Sequence, residues 1–173
     1  MENDFLEDHP LYALHSDPNM LTGYTRRHFL FPKLAVDLAN ENPELRDELE
    51  PVIMKDPYHA YTYARYVLKR PWPEAEKYVI KSPINALPYA KYVLKHRWLE
   101  AEPAIMKDPH LAYFYAKDVL KRRWQEAEPH IMKDGYYAAK YAMGILRDRW
   151  PEAEPYIAKH HRTWYDYSGT FGL

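Results

Sequence analysis

The chain has 173 residues, 47% of them hydrophobic, with a formal net charge of −1 and no cysteine. That is enough apolar material for one domain with a core, and it excludes disulfides, thiolate zinc sites and a cysteine nucleophile. The near-neutral charge argues against a globally basic nucleic-acid binder. Seventeen Tyr, five Trp and 15 Pro against only five Gly argue against a turn-rich β-sandwich. No stretch approaches the ~20 apolar residues of a membrane span. The acidic start, Met1 to Asp8, has no apolar run and predicts no secretory signal. The expected compartment is the cytoplasm.

Residues 1–27 carry no periodicity and are read as an irregular N-terminal segment. Residues 28–55 read as a degenerate copy of a repeating unit: His28-Phe29-Leu30-Phe31 leads through Leu34 and Leu38 into a helix, and Glu50-Pro51 with Ile53-Met54 restores a register. From there the chain repeats every 26 residues, in units 56–81, 82–107, 108–133 and 134–159. Trp72, Trp98, Trp124 and Trp150 set the spacing. Tyr63, Tyr89, Tyr115 and Tyr141 keep it, as do Ala60, Ala86, Ala112 and Ala138 and a Glu-Ala-Glu after every Trp.

Within the first unit the matching positions 60, 63, 64, 67 and 68 form one apolar helical stripe. Asp56-Pro57, Ser82-Pro83 and Asp108-Pro109 place a capping side chain before a proline at the first helical position, and Asp134-Gly135 keeps the cap alone. Basic residues gather where this first helix should end, opposite the negative end of its dipole. The helix is predicted over 57–69, with Pro88 expected to kink its second copy. The second helix, Trp-x-Glu-Ala-Glu-x-x-Ile, is predicted to be short with a 3₁₀ or irregular first turn, because Pro103, Pro129 and Pro155 sit inside it. Residues 160–173 begin a fifth first helix and are read as a C-terminal cap. The fold class predicted is all-α, an α-solenoid of four helical hairpins whose stability comes from stacking.

The unit, Asp-Pro-x-x-Ala-x-x-Tyr-Ala-x-x-Val-Leu-Lys-x-Arg-Trp-x-Glu-Ala-Glu-Pro-x-Ile, resembles short helical repeats in proteins of tailed bacteriophages and large viruses. In architecture it is also similar to leucine-rich-variant repeats. The resemblance implies a viral origin, a helical solenoid and a host protein as partner, in the host cytoplasm. It brings no activity or site residues with it.

Read from the residues, the Trp, Tyr and Glu ladders are structural: they recur without variation on or beside the buried stripe. Nine histidines raise the question of a metal, most densely at His160-His161 with Asp166, but no His-x-x-x-His pair supports one. No Gly-rich phosphate loop, Gly-x-Ser-x-Gly or His-Glu-x-x-His occurs. No enzyme activity, cofactor or metal is expected.

The informative positions are those where the units differ. Opposite the stripe, the first helices carry Tyr58, Tyr61 and Arg65; Leu87 and Lys91; His110, Tyr113 and Phe114; and Tyr136. Aromatic and apolar residues edged by basic ones are enriched at protein interfaces, so these nine are the predicted protein-binding residues. Two alternatives stand beside that reading. Lys69, Arg70, Lys95, Arg97, Lys121, Arg122 and Arg123 form a basic edge that could track nucleic-acid phosphates, although neighbouring glutamates oppose it. The aromatic face, or the ends of the solenoid, could instead make the chain a self-assembling homo-oligomer.

Overall fold

The computed structural model describes the backbone of residues 24–173 and the side chains from residue 31 onward. Every regular element among them is helical. No helix among the described residues is long and apolar enough to cross a membrane. The chain divides into two compact units, Met1–Val79 and Ile80–Leu173.

In the first unit, α1 (Tyr24–Glu41) is followed by a 3₁₀ turn (Pro43–Leu45) and α2 (Arg46–Ile53). Residues 24–27 therefore belong to a helix rather than to the irregular segment expected over 1–27, and residues 1–23 lie outside the described residues. Leu34, Ala35, Leu38 and Ala39 of α1 are buried, with Leu49 and Ile53 of α2. The Arg46 Nε donates to the Ala39 carbonyl at 3.1 Å and pins the corner between the two helices. Next come α3 (Pro57–Thr62), which runs on as a π-helical turn over Tyr63–Leu68, and α4 (Pro73–Val79).

The second unit contains three more first helices, each an α-helix that widens into a π-helix. They are α5 (Pro83–Tyr89, then Ala90–Leu94), α7 (Pro109–Phe114, then Tyr115–Leu120) and α9 (Gly135–Tyr141, then Ala142–Leu146). Between and after them lie the short second helices α6 (Glu102–Ile105), α8 (Glu128–Ile131) and α10 (Glu154–Ile157). The final helix is α11 (His161–Phe171).

The second helices are as short as their prolines require. Pro103, Pro129 and Pro155 occupy the opening positions of α6, α8 and α10, where a missing N–H costs nothing. The residues before them form a turn instead of helix, a 3₁₀ turn over Gln125–Ala127 ahead of α8. Pro88 lies inside α5 without interrupting it. Asp56, Asp108 and Asp134 cap their helices by accepting backbone N–H bonds at 2.8–3.1 Å. Ser82 does not; its hydroxyl accepts from the Asn85 side chain at 2.9 Å.

The π-helical endings are a feature the stripe does not announce. Each closes on a residue in the left-handed region: Lys69 (φ 55°), Lys95 (61°), Lys121 (54°) and Arg147 (55°). Their N–H groups bond the carbonyls of Ala64, Ala90, Ala116 and Ala142, five residues back. A side chain in that conformation costs on the order of 1–2 kcal/mol. A cation at a helix C-terminus offsets about 0.3–1 kcal/mol of it, which accounts for basic residues where glycine is the usual choice.

A single polar arrangement, repeated three times, ties successive repeats of the second unit together. The Tyr115 hydroxyl accepts from the Trp98 backbone N–H at 2.7 Å and donates to Glu102 Oε1 at 3.2 Å. Glu102 is buried, and Arg97 clamps its carboxylate with two bonds of 2.7 Å. The same set recurs as Tyr141, Trp124, Glu128 and Arg123, and as Tyr167, Trp150, Glu154 and Arg149. In the first unit the Tyr63 hydroxyl donates to Glu50 at 3.1 Å. The rings of Tyr63, Tyr89, Tyr115 and Tyr141 each also pack on the Trp nine residues on, with centroids 5.1–5.4 Å apart. The Trp124 indole N–H is buried without a hydrogen-bond partner, so that ring contributes packing alone.

Gly135 replaces the proline that opens the other first helices because space demands it. A Cβ there would lie 2.3 Å from the Tyr156 carbonyl oxygen and 2.8 Å from His160 Cδ2. Restoring the repeat's own consensus with Gly135→Pro, or adding one methyl with Gly135→Ala, should therefore destabilise by about 1–3 kcal/mol. Chemical denaturation checks this, and an unchanged or raised midpoint contradicts the close approach.

Burial is the main cause holding the hydroxyls of Tyr63, Tyr115 and Tyr141 well above their ordinary range, and it raises that of Tyr167 as well; nearby Glu50, Glu102, Glu128 and Glu154 act in the same direction. A raised folded-state pKa means that stability is whole below the unfolded value, near 10, and is lost as pH rises beyond it. Melting temperature should be flat between about pH 8 and 9.5 and fall steeply above about 10. A class of tyrosines should ionise, by absorbance near 295 nm, only as helicity collapses. A melting temperature that holds to about pH 11.5 contradicts this role for the buried hydroxyls.

Candidate functional site

The positions where repeats differ lie largely along the seam between one first helix and the next. In the second unit, Tyr137 of α9 is the focus. Its ring lies 5.2 Å from His110, 5.8 Å from Tyr113 and 6.5 Å from Phe114, all on α7. Tyr136 packs edge-on against it at 5.1 Å. Burial, then the charges of Tyr136 and Asp134, raise the Tyr137 hydroxyl pKa. The preceding seam, between α5 and α7, carries an ion pair of 2.8 Å between Lys91 and Asp118, which raises the Lys91 pKa. Downstream, the Thr170 hydroxyl contacts Met143 Sδ at 3.4 Å.

Several predicted contact residues are thereby drawn into the interior. Tyr113 is 6% exposed and Tyr61 7%, so their rings fill packing and leave little surface to a partner. The Tyr61 hydroxyl accepts from Arg65, whose guanidinium also lies over the Tyr61 and Tyr66 rings. Lys91 is committed to Asp118, and Leu87 and Phe114 are half-buried. Tyr137 was not among the predicted residues. It lies one position from the chosen face, and only the inter-helix packing shows that it is the hub.

What remains open in the second unit is a row at one repeat position, at the start of its first helices; the same position of the first unit is Tyr58, which is exposed. In the second unit Ile84 is 67% and Tyr136 44% exposed, with His110 exposed between them. Beside Ile84 and His110 lies an open, mainly apolar groove of about 440 Å³, also lined by Pro83, Ala104, Lys107 and Pro109. Lys140 lies 4.4 Å from the Tyr136 ring centroid and places a cation at the edge of the row.

The basic edge divides into two groups. Lys69, Lys95 and Lys121 are the exposed left-handed caps, and Arg70 and Arg122 are exposed beside them. Arg97 and Arg123 are held by Glu102 and Glu128. A hollow of about 600 Å³ near Arg123 and Arg149 also carries Glu128, Asp148 and Glu152, so charges of both signs line it. His160 precedes α11 and lies against the Gly135 backbone, with His161 and Asp166 exposed. Among the described residues no three metal-ligating side chains converge.

Comparison with protein-family models, with curated proteins and with solved structures gave no significant match.

Seam and rim should respond differently to truncation. Tyr137→Ala removes the hub of an aromatic cluster and should cost about 1–3 kcal/mol, whereas Tyr136→Ser on the rim should stay within about 0.5 kcal/mol. Urea denaturation of the two variants side by side checks this; equal losses contradict the division.

Proposed function

We propose that the chain is an α-solenoid of four 26-residue helical hairpins, with a degenerate N-terminal copy and a C-terminal cap, and that it is a non-catalytic protein-binding module. The observation that carries the reading is the row of exposed Ile84, His110 and Tyr136, set 26 residues apart beside the apolar groove. Apolar and aromatic side chains held on rigid helices lose little entropy on binding, and aromatic anchors dominate interface energetics. The repeated Tyr and Trp and the second glutamate of each Glu-Ala-Glu are engaged in packing and with one another, whereas the row stays exposed and available for recognition. The likeness of the repeat to those of tailed phages and large viruses favours a host protein as the target, a defence or regulatory factor held inactive. A phosphate-tracking role is less favoured, because Arg97 and Arg123 are engaged by buried or nearly buried carboxylates.

The test is capture of a partner from the native host by the intact chain and by an Ile84→Glu/Tyr136→Glu variant. Both positions are exposed, so helicity and melting temperature should be unchanged while capture falls at least ~10-fold, as expected on losing ~1.4 kcal/mol or more. Equal capture by the variant removes the row from the interface.

A further inference from the structure

We infer that α11 carries a second interaction surface, one that pairs with the same helix of another copy of this chain. Tyr165 occupies the repeat position of Tyr61, Tyr113 and Ala139, which are 7%, 6% and 0% exposed, yet Tyr165 is itself 78% exposed. In α7 this side of the helix is covered by Tyr137 of the helix that follows. On α11 it is open at Tyr165, while half-buried Trp164 and Phe171 pack on the buried Tyr167 ring, with centroids 5.8 and 4.9 Å away.

The charges on that face select the occupant. Arg162, Tyr165, Asp166 and Gly169 follow i, i+3, i+4, i+7 spacing on one side of the helix, and all four are exposed. When two copies of α11 meet antiparallel about a two-fold axis near residue 164, Arg162 of each faces Asp166 of the other. The two Tyr165 rings then lie beside the axis. The surface is self-complementary, which an isologous dimer requires. An 11-residue helix is about 16 Å long, so the contact is small. Association is expected to be weak, with a Kd on the order of 100 μM.

Sedimentation equilibrium of the intact chain from ~5 μM to ~1 mM tests this over a range that brackets such a Kd. Average mass should climb from the monomer value of 20.7 kDa towards twice that, and no further. Tyr165→Glu, with Tyr165→Ser as a milder second variant, should weaken association at least ~10-fold with unchanged circular dichroism. Arg162→Glu alone should weaken it, and Arg162→Glu with Asp166→Arg should restore it. A monomer at every concentration, a dimer indifferent to Tyr165, or growth beyond the dimer would each overturn the proposal. The Ile84→Glu/Tyr136→Glu variant should dimerise normally, so failure of this surface and failure of the binding row are read separately.

Discussion

The second unit depends on one hydroxyl per repeat. Tyr115, Tyr141 and Tyr167 each accept a backbone N–H from the preceding repeat's Trp and donate to its buried or nearly buried glutamate. The tyrosine thus satisfies a polar group at the point where the chain turns into its second helix, and helps solvate a carboxylate that burial would otherwise penalise. The arginine before each Trp supplies the compensating charge in a forked geometry. Removing one member leaves the others unsatisfied in a water-poor place, so the set is kept whole or not at all. It also explains why the glutamates come as Glu-x-Glu: the second of each pair is drawn inward, and the first, at Glu100, Glu126 and Glu152, stays in solvent.

That lock leaves the rest of the helix free to vary. Because the tyrosine, the small alanines and the Trp hold spacing between repeats, the opposite side of each first helix can use different chemistry at each seam. One seam of the second unit is an ion pair, Lys91 with Asp118; the next is an aromatic cluster centred on Tyr137. The π-helical endings belong to the same economy of space. A wider final turn, closed by a left-handed basic residue, returns the chain towards the Trp within a few residues and keeps the unit at 26.

Function, on this reading, is displaced to the margins of the seam. The proposed binding row lies at the start of the first helices of the second unit, where side chains emerge beyond the packing, and the α11 face lies where a seam has no continuation within the described chain. Both surfaces arise because a repeat buries its shared residues first. The remainder is a rim and an end, which differ in chemistry.

By itself the sequence determined the helical class, the spacing, the first-helix starts and the brevity of the second helices. Those depend on local rules: apolar period, capping side chains and the missing N–H of Pro103, Pro129 and Pro155. It also marked the Tyr, Trp and Glu ladders as structural, because identity at a fixed interval is visible without coordinates. Only the tertiary structure decided which side of a variable residue faces the next helix. Tyr61 and Tyr113 match the open positions in pattern yet are buried, while Tyr137, one position off the chosen face, joins three rings. Gly135 makes the same point at atomic scale: a repeat consensus favours proline there, and the carbonyl of Tyr156, distant in sequence, leaves room for a hydrogen only.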